Sequence, residues 1–272
     1  MKPIKRVLFI VTIILLVAAF GTSAFLVVNY LKGSKDSQNR YEDLANQVSS
    51  ATTVATVPTT QESTAQDETT APTAPTEPKP IEEYVALYEQ NNDMVGWIQI
   101  EGTKINYPVL QTPNEKDYYL KRDFDKKNSE WGAIYAWEKA DINKPSDNIT
   151  LFGHNMKDGS MFAALYDYDK KETWENNPLI FFNTLNEYHV YKIFAVYRTS
   201  ANLGEEFYDF YQFVDAENEQ QFDEFVAKCK EYASYDTGIT PKYGDKLITL
   251  STCEYTHGGG NGRLVVSAVR IA

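Results

Sequence analysis

The 272-residue sequence predicts a mostly β domain, a barrel or a sandwich, carried behind an apolar N-terminal helix and a polar tether. Three observations lead there. Short strand-like segments separated by turn residues fill the C-terminal part of the chain, helical patterns within that part are few, and an uncharged run occupies Val7 to Val28. Many short strands punctuated by turns favour all-β layers over a parallel sheet wrapped in helices.

The N-terminal element comes first. Residues 1–6 carry Lys2, Lys5 and Arg6, and the 22 residues from Val7 to Val28 follow without a charge. As a helix these would span about 33 Å, enough to cross a bilayer. Gly21, Ser23 and Ala24 leave a cleavable signal peptide as the alternative, but its apolar region is usually only about 7–15 residues, so length favours an uncleaved signal anchor over residues 7–28. Segment 29–48 mixes Lys32, Lys35 and Arg40 with Asp36 and Glu42. The positive-inside bias therefore puts residues 1–6 in the cytoplasm and everything after the span outside, a single-pass protein of the cell membrane.

Residues 29–48 form a juxtamembrane segment, and the composition changes at Ser49. From Ser49 to Pro80 there are ten Thr, five Pro and no aromatic residue. Such a segment cannot bury enough apolar surface to offset its ordering entropy, and a disordered stalk is expected over residues 49–80. Fully extended in polyproline form it would reach about 100 Å, and as a flexible coil about 30 Å.

Residues 81–272 are long enough for one domain with a sizeable core. The net charge of -12 argues against nucleic acid or anionic lipid surfaces as partners, because both select basic faces. Strands are expected at Gly96–Ile100, Ile105–Leu110, Gly132–Ala136, Asn148–Phe152, Tyr188–Tyr197, Lys246–Ser251 and Arg263–Ile271. Helices are expected at Ile81–Asn91 and at Ala216–Ala233. In the second, Phe222, Phe225, Val226 and Cys229 recur at three- and four-residue intervals behind a cap at Asp215.

That spacing makes Cys229 a small buried hydrophobe. The other cysteine, Cys253, ends "TLSTC", where period-two alternation sets Ile248, Leu250 and Thr252 on one face and Leu247, Thr249, Ser251 and Cys253 on the more polar other. A loop with four glycines in nine residues, Glu254–Gly262, then leads to Arg263. If the flanking strands pair as a hairpin, Cys253 and Arg263 become neighbours at one rim, where a cation favours a thiolate or holds an oxyanion. A disulfide between Cys229 and Cys253 remains open in an oxidising compartment.

Of the three histidines, His189 lies within a strand and reads as structural. His257 could join Cys253 on a metal, but no further Cys or His completes the set, so no metal site and no cofactor are expected. His154 directly follows the strand Asn148–Phe152, with Gly153 allowing a sharp turn before it.

With these residues the chain resembles the sortases, the membrane-anchored cysteine transpeptidases of Gram-positive surfaces, and is most similar to class B. "TLSTC" matches the family's nucleophile strand, Arg263 its arginine, and "GHNMKDGSMF" (Gly153–Phe162) the segment carrying its histidine. "GWIQIEGTKINYPVLQ" (Gly96–Gln111) and "DYYLKRDF" (Asp117–Phe124) resemble its first strands. The resemblance runs from about Val95 to the C-terminus. It implies a closed β-barrel with an N-terminal helix and a long helix inserted before the cysteine strand. Where some class B members carry an acid two residues after the cysteine, this chain has Tyr255; Glu254 stands next to Cys253 instead.

The resemblance also implies catalytic roles for Cys253, His154 and Arg263, and a substrate-lining role for Ser251 and Glu254. The expected first substrates are surface proteins bearing a C-terminal sorting signal, cut after threonine. The second is an amine of the peptidoglycan precursor or of a pilin lysine. Two alternatives stand beside this one: an extracellular cysteine peptidase that passes the acyl group to water, and a non-catalytic anchored binding module, favoured if Cys253 were disulfide-bonded.

Overall fold

Eight strands close into a barrel in the order β1-β2-β3-β4-β7-β8-β6-β5. In the computed structural model, which describes residues 3–54, 79–200, 209–254 and 261–272, they are β1 Met94–Gln99, β2 Asn106–Leu110, β3 Ile134–Ala136, β4 Asn148–Phe152, β5 Leu179–Thr184, β6 Val190–Ser200, β7 Leu247–Glu254 and β8 Gly262–Arg270. Two of the pairings are parallel, β2 with β3 and β4 with β7, and the rest are antiparallel. Closure between β1 and β5 leaves no exposed sheet edge. The barrel alternative of the sequence reading is the observed one.

Seven strands fall where the sequence places them, to within a few residues. The eighth, β5, went unread. Its burial alternates cleanly, with Ile180, Phe182 and Thr184 inward, but Leu-Ile-Phe-Phe occupies both faces and conceals that period.

Among the described residues the α-helices are α1 Pro3–Val54, α2 Glu82–Gln90, the short α3 Lys171–Asn176, and α4 Glu219–Glu231. The apolar residues of α1 between Val7 and Leu31 are exposed, among them Phe9, Leu15, Phe20 and Leu26. By length and composition α1 can cross a membrane. It also departs from the expected layout. Ser49–Val54, the first six residues of the expected stalk, are helical, and residues 55–78 of that stalk lie outside the described residues. The chain divides into two compact units, Met1–Asp43 and Leu44–Ala272.

Within the second unit α4 buries Phe222, Phe225, Val226 and Cys229 against Phe194 and Tyr197 of β6, Leu247 of β7, and Val265 and Val269 of β8. This is the predicted face, but not the predicted start. Asn218, not Asp215, caps the helix, its side chain accepting from the Gln221 N–H at 3.0 Å. Asp215 instead accepts from the Asp147 N–H at 3.0 Å, while the Asp147 carboxylate accepts from the Ala216 N–H at 2.9 Å and from Lys246 Nζ at 2.8 Å. This reciprocal brace ties the entry of α4 to the residues just before β4 and β7, the two strands that lead to the site.

Candidate active site

The hairpin predicted from the glycine-rich loop forms, and β7 and β8 pair with Cys253 directly opposite Arg263. On its other side β7 runs parallel to β4, with Phe152 beside Ser251 as the last pair, so His154, two residues further on, comes level with Cys253. Past the end of that ladder other bonds continue the junction. The Gly153 N–H donates to the Ser251 carbonyl at 3.2 Å, Thr252 Oγ1 donates to the Gly153 carbonyl at 2.8 Å, and Asn155 Nδ2 donates to the Cys253 carbonyl at 3.0 Å. Both residues flanking His154 thus hold the backbone of the cysteine strand.

Gly153 is required by space rather than by a turn. A Cβ there would stand 2.5 Å from Ile134 Cδ1 and 2.7 Å from the Phe162 ring. The imidazole is then set by a second segment, the 3-10 turn Tyr118–Lys121. His154 Nε2 lies 2.6 Å from the Leu120 carbonyl oxygen. A carbonyl only accepts, so Nε2 carries the hydrogen, and Nδ1 is left as the nitrogen that can exchange a proton. Gly132 makes room for this contact. It has φ +59°, and a Cβ on it would meet the Leu120 carbonyl oxygen at 2.7 Å and His154 Cδ2 at 3.2 Å. The turn itself starts at Asp117, in the left-handed region at φ 54°, whose carboxylate accepts from the Tyr135 hydroxyl of β3 at 3.0 Å. Burial, with Asp117 second, pushes the Tyr135 hydroxyl far up, and Arg263 pulls the other way, so Tyr135 stays a neutral donor at the foot of the site.

His154, Cys253, Arg263 and Ser251 line one cleft of about 210 Å³. Arg263 is held by its own strand, Nη1 donating to the Gly262 carbonyl at 2.8 Å. Ser251 is 2 % exposed, and its hydroxyl has no hydrogen-bond partner among the described residues, a condition that costs roughly 1–3 kcal/mol unless a ligand relieves it. The backbone of Glu254 ends β7 opposite Gly262, and its side chain is outside the described atoms, as are Tyr255 and His257 entirely.

Part of the cleft was not foreseen. Lys116, Asp117, Leu120, Tyr135, Trp137 and Tyr211 also line it. Trp137 and Tyr211 meet edge to face at 4.9 Å, and Tyr135 packs on Phe152 at 5.4 Å, giving the cleft an aromatic wall. Leu120 acts through its carbonyl oxygen, which no side-chain pattern announces. Tyr135 and Asp117 both fall in segments quoted above, yet neither shows from spacing alone that it meets the other.

The two thiols have opposite surroundings. Cys229 is fully buried, its Sγ 3.7 Å from the Tyr197 hydroxyl, and burial pushes its thiol up to about 12. Cys253 is half-buried in the cleft, and both cysteines are free. His189, expected to be structural, sits just before β6 and outside this cleft. Its Nε2 is 3.1 Å from Glu187 and 3.3 Å from Arg270, and burial and then Arg270 lower its pKa.

A thiol, an imidazole and a guanidinium facing one cleft from three adjacent strand ends can form and resolve a thioester. The family model of the sortase domain matches residues 98–271. The chain belongs to the sortase family. Sortase B of Staphylococcus aureus is 32% identical over 188 residues, 68% of this chain and 73% of that protein. Sortase B of Listeria monocytogenes is 34% identical over 183 residues, 66% of this chain and 70% of that protein. The solved Staphylococcus aureus sortase B-substrate complex superposes with a TM-score of 0.71 at 25% identity, covering 88% of this chain and 97% of that one. The chain is thus a cysteine transpeptidase most similar to class B sortases. The closed eight-stranded barrel, the N-terminal helix and the helix α4 before the cysteine strand fit that family's fold.

Proposed function

We propose that this sortase cleaves the C-terminal sorting signal of surface proteins after threonine and transfers the acyl group to an amine of the peptidoglycan precursor or of a pilin lysine. The observation that carries the reading is the register of β7 on β8, which sets Cys253 against Arg263, with His154 two residues past the end of β4, the strand paired with β7 on its other side.

Cys253 attacks the threonine carbonyl and becomes the thioester. Arg263, with the Glu254 N–H, stabilises the oxyanion that forms on the way. His154 takes the Cys253 thiol proton at Nδ1, passes it to the leaving amine as the C–N bond breaks, and later takes one from the incoming amine, while its Nε2–H stays on the Leu120 carbonyl. Ser251 gives its unpartnered hydroxyl to the bound signal peptide, and Glu254 is the second residue assigned to contact that peptide. The Staphylococcus aureus relative was solved as a complex with substrate, which supports substrate binding in this fold.

The remaining layout follows the charge pattern and composition. Residues 1–6 are cytoplasmic and 7–28 are the span. Residues 29–48 are juxtamembrane, the stalk up to residue 80 is a tether, and 81–272 are the catalytic domain outside the cell, where both substrates are presented.

The test is a library of sorting-signal peptides offered to the protein with and without amine acceptors, read by product mass. Cleavage after threonine and an amide product are expected. Products that carry water in place of the amine at every acceptor concentration would instead make the protein a peptidase.

A further inference from the structure

His154 borders two openings. One is the cleft it shares with Cys253 and Arg263; the other is a groove of about 640 Å³ whose walls are Lys121, Asn128, Ser129, Glu130 and His154 itself. The groove is built on the segment that fixes the imidazole. Ser129 N–H donates to the Lys121 carbonyl at 3.0 Å, Arg122 and Asn128 form a bridge, and Leu120, whose carbonyl accepts from His154, is the residue before Lys121. Lys121 and Glu130 are exposed, and among the described residues their side chains make no hydrogen bond or ion pair. An uncompensated carboxylate, an uncompensated ammonium and two neutral polar residues therefore surround the approach to the group that takes a proton from the second substrate.

A ping-pong transfer needs such an approach, because the acyl chain still fills the first cleft when the amine arrives. We propose that this groove receives that second substrate, a peptide amine. Its ammonium is drawn to Glu130, and its carbonyl or carboxylate groups face Lys121, Asn128 and Ser129. The proposal rests on the assignment of Cys253 and His154 made above. In the step itself the ammonium first loses a proton to solvent. The free amine nitrogen then forms the N–C bond to the thioester carbon, and the C–S bond breaks. The second nitrogen-bound proton goes to His154 and from there to the departing Cys253 sulfur, leaving an amide and a thiol.

The experiment uses the full chain in detergent micelles, and the donor peptide is the one giving most acyl-enzyme in the library screen. Acylation of Cys253 is followed by intact mass. Transfer is then followed against concentration for hydroxylamine and for a panel of peptide amines that includes triglycine and lysine amide. For the peptide amines that transfer, Glu130→Gln should raise the half-saturating concentration roughly three- to fivefold, the scale of one exposed ion pair. Glu130→Lys should raise it about tenfold, since repulsion replaces attraction. Acylation, and transfer to hydroxylamine, should not change in either variant, which also shows that both are folded. Unchanged half-saturation for peptide amines would overturn the proposal, as would an equal shift for hydroxylamine or the absence of transfer to any peptide amine. A wild-type chain that never acylates at Cys253 overturns the catalytic assignment, and the groove's role falls with it.

Discussion

At the scale of single residues, burial separates two cysteines that composition cannot. Cys229 is sealed beneath α4 with its thiol pushed up to about 12, whereas Cys253 borders the cleft. Cys253→Ala should abolish acyl-enzyme formation. Cys229→Ala should leave it nearly intact and cost on the order of 1–2 kcal/mol of stability. Intact-mass detection of the acyl-enzyme alongside thermal melts checks both, and loss of acylation in a folded Cys229 variant would reverse the roles. Arg263 tests geometry against charge. One arm of its guanidinium is engaged by the Gly262 carbonyl, which fixes the planar fork relative to the thiol opposite. An ammonium keeps the charge but loses the fork. Arg263→Lys should therefore slow acylation by roughly 10²–10³, the scale of a lost oxyanion donor. Near-normal acylation in that variant would leave Arg263 as a plain electrostatic partner of the thiol.

At the scale of elements, the site is where three strand ends meet one turn, and only the strands were legible. Alternation along "TLSTC" and the glycine loop were enough to foresee that Cys253 and Arg263 pair across β7 and β8, and His154 showed itself at the end of β4. The turn Tyr118–Lys121 works through a backbone carbonyl and a left-handed Asp117, and neither leaves a periodic signal. The cap of α4 was misplaced for a related reason. Asp215 and Asn218 are both good capping residues, and the choice was made by Asp147, a long-range partner that recruits Asp215 into the brace. Gly132 belongs to this level too. Gly132→Ala would force a Cβ toward the Leu120 carbonyl oxygen and the His154 ring in a backbone region that side chains disfavour. It should lower the rate of acylation by about tenfold or more while costing roughly 1–2 kcal/mol in stability. The telling measurement is the imidazole's NMR signature beside the rate. An unchanged ring environment with full activity would show that the turn does not position His154.

At the scale of the whole molecule, the question is where the working domain begins. Composition alone places the boundary at residue 81, because Ser49–Pro80, with ten Thr, five Pro and no aromatic residue, has too little apolar surface to build a core. The structure moves part of the N-terminal segment into the second compact unit, which starts at Leu44. Leu44 is fully buried, and Gln90 Nε2 of α2 donates to Gln47 Oε1 at 2.9 Å. Helical packing, which composition does not report, therefore reaches back past the tether. Two truncations separate the boundaries. Removing residues 1–43 should cost less stability than the longer cut. Removing residues 1–80 also strips Leu44 from its packing, and should cost about 1.5–3 kcal/mol, the worth of one buried leucine. Neither should change acylation by short peptides at 25 °C more than about twofold, since the strands and the turn that hold Cys253, Arg263 and His154 all lie beyond residue 81. Denaturant melts of the two truncations, with acylation rates measured on the same samples, decide the matter. Equal stability would return the boundary to residue 81. A folded but inactive product of the longer truncation would mean that the segment from Leu44 supports the site itself.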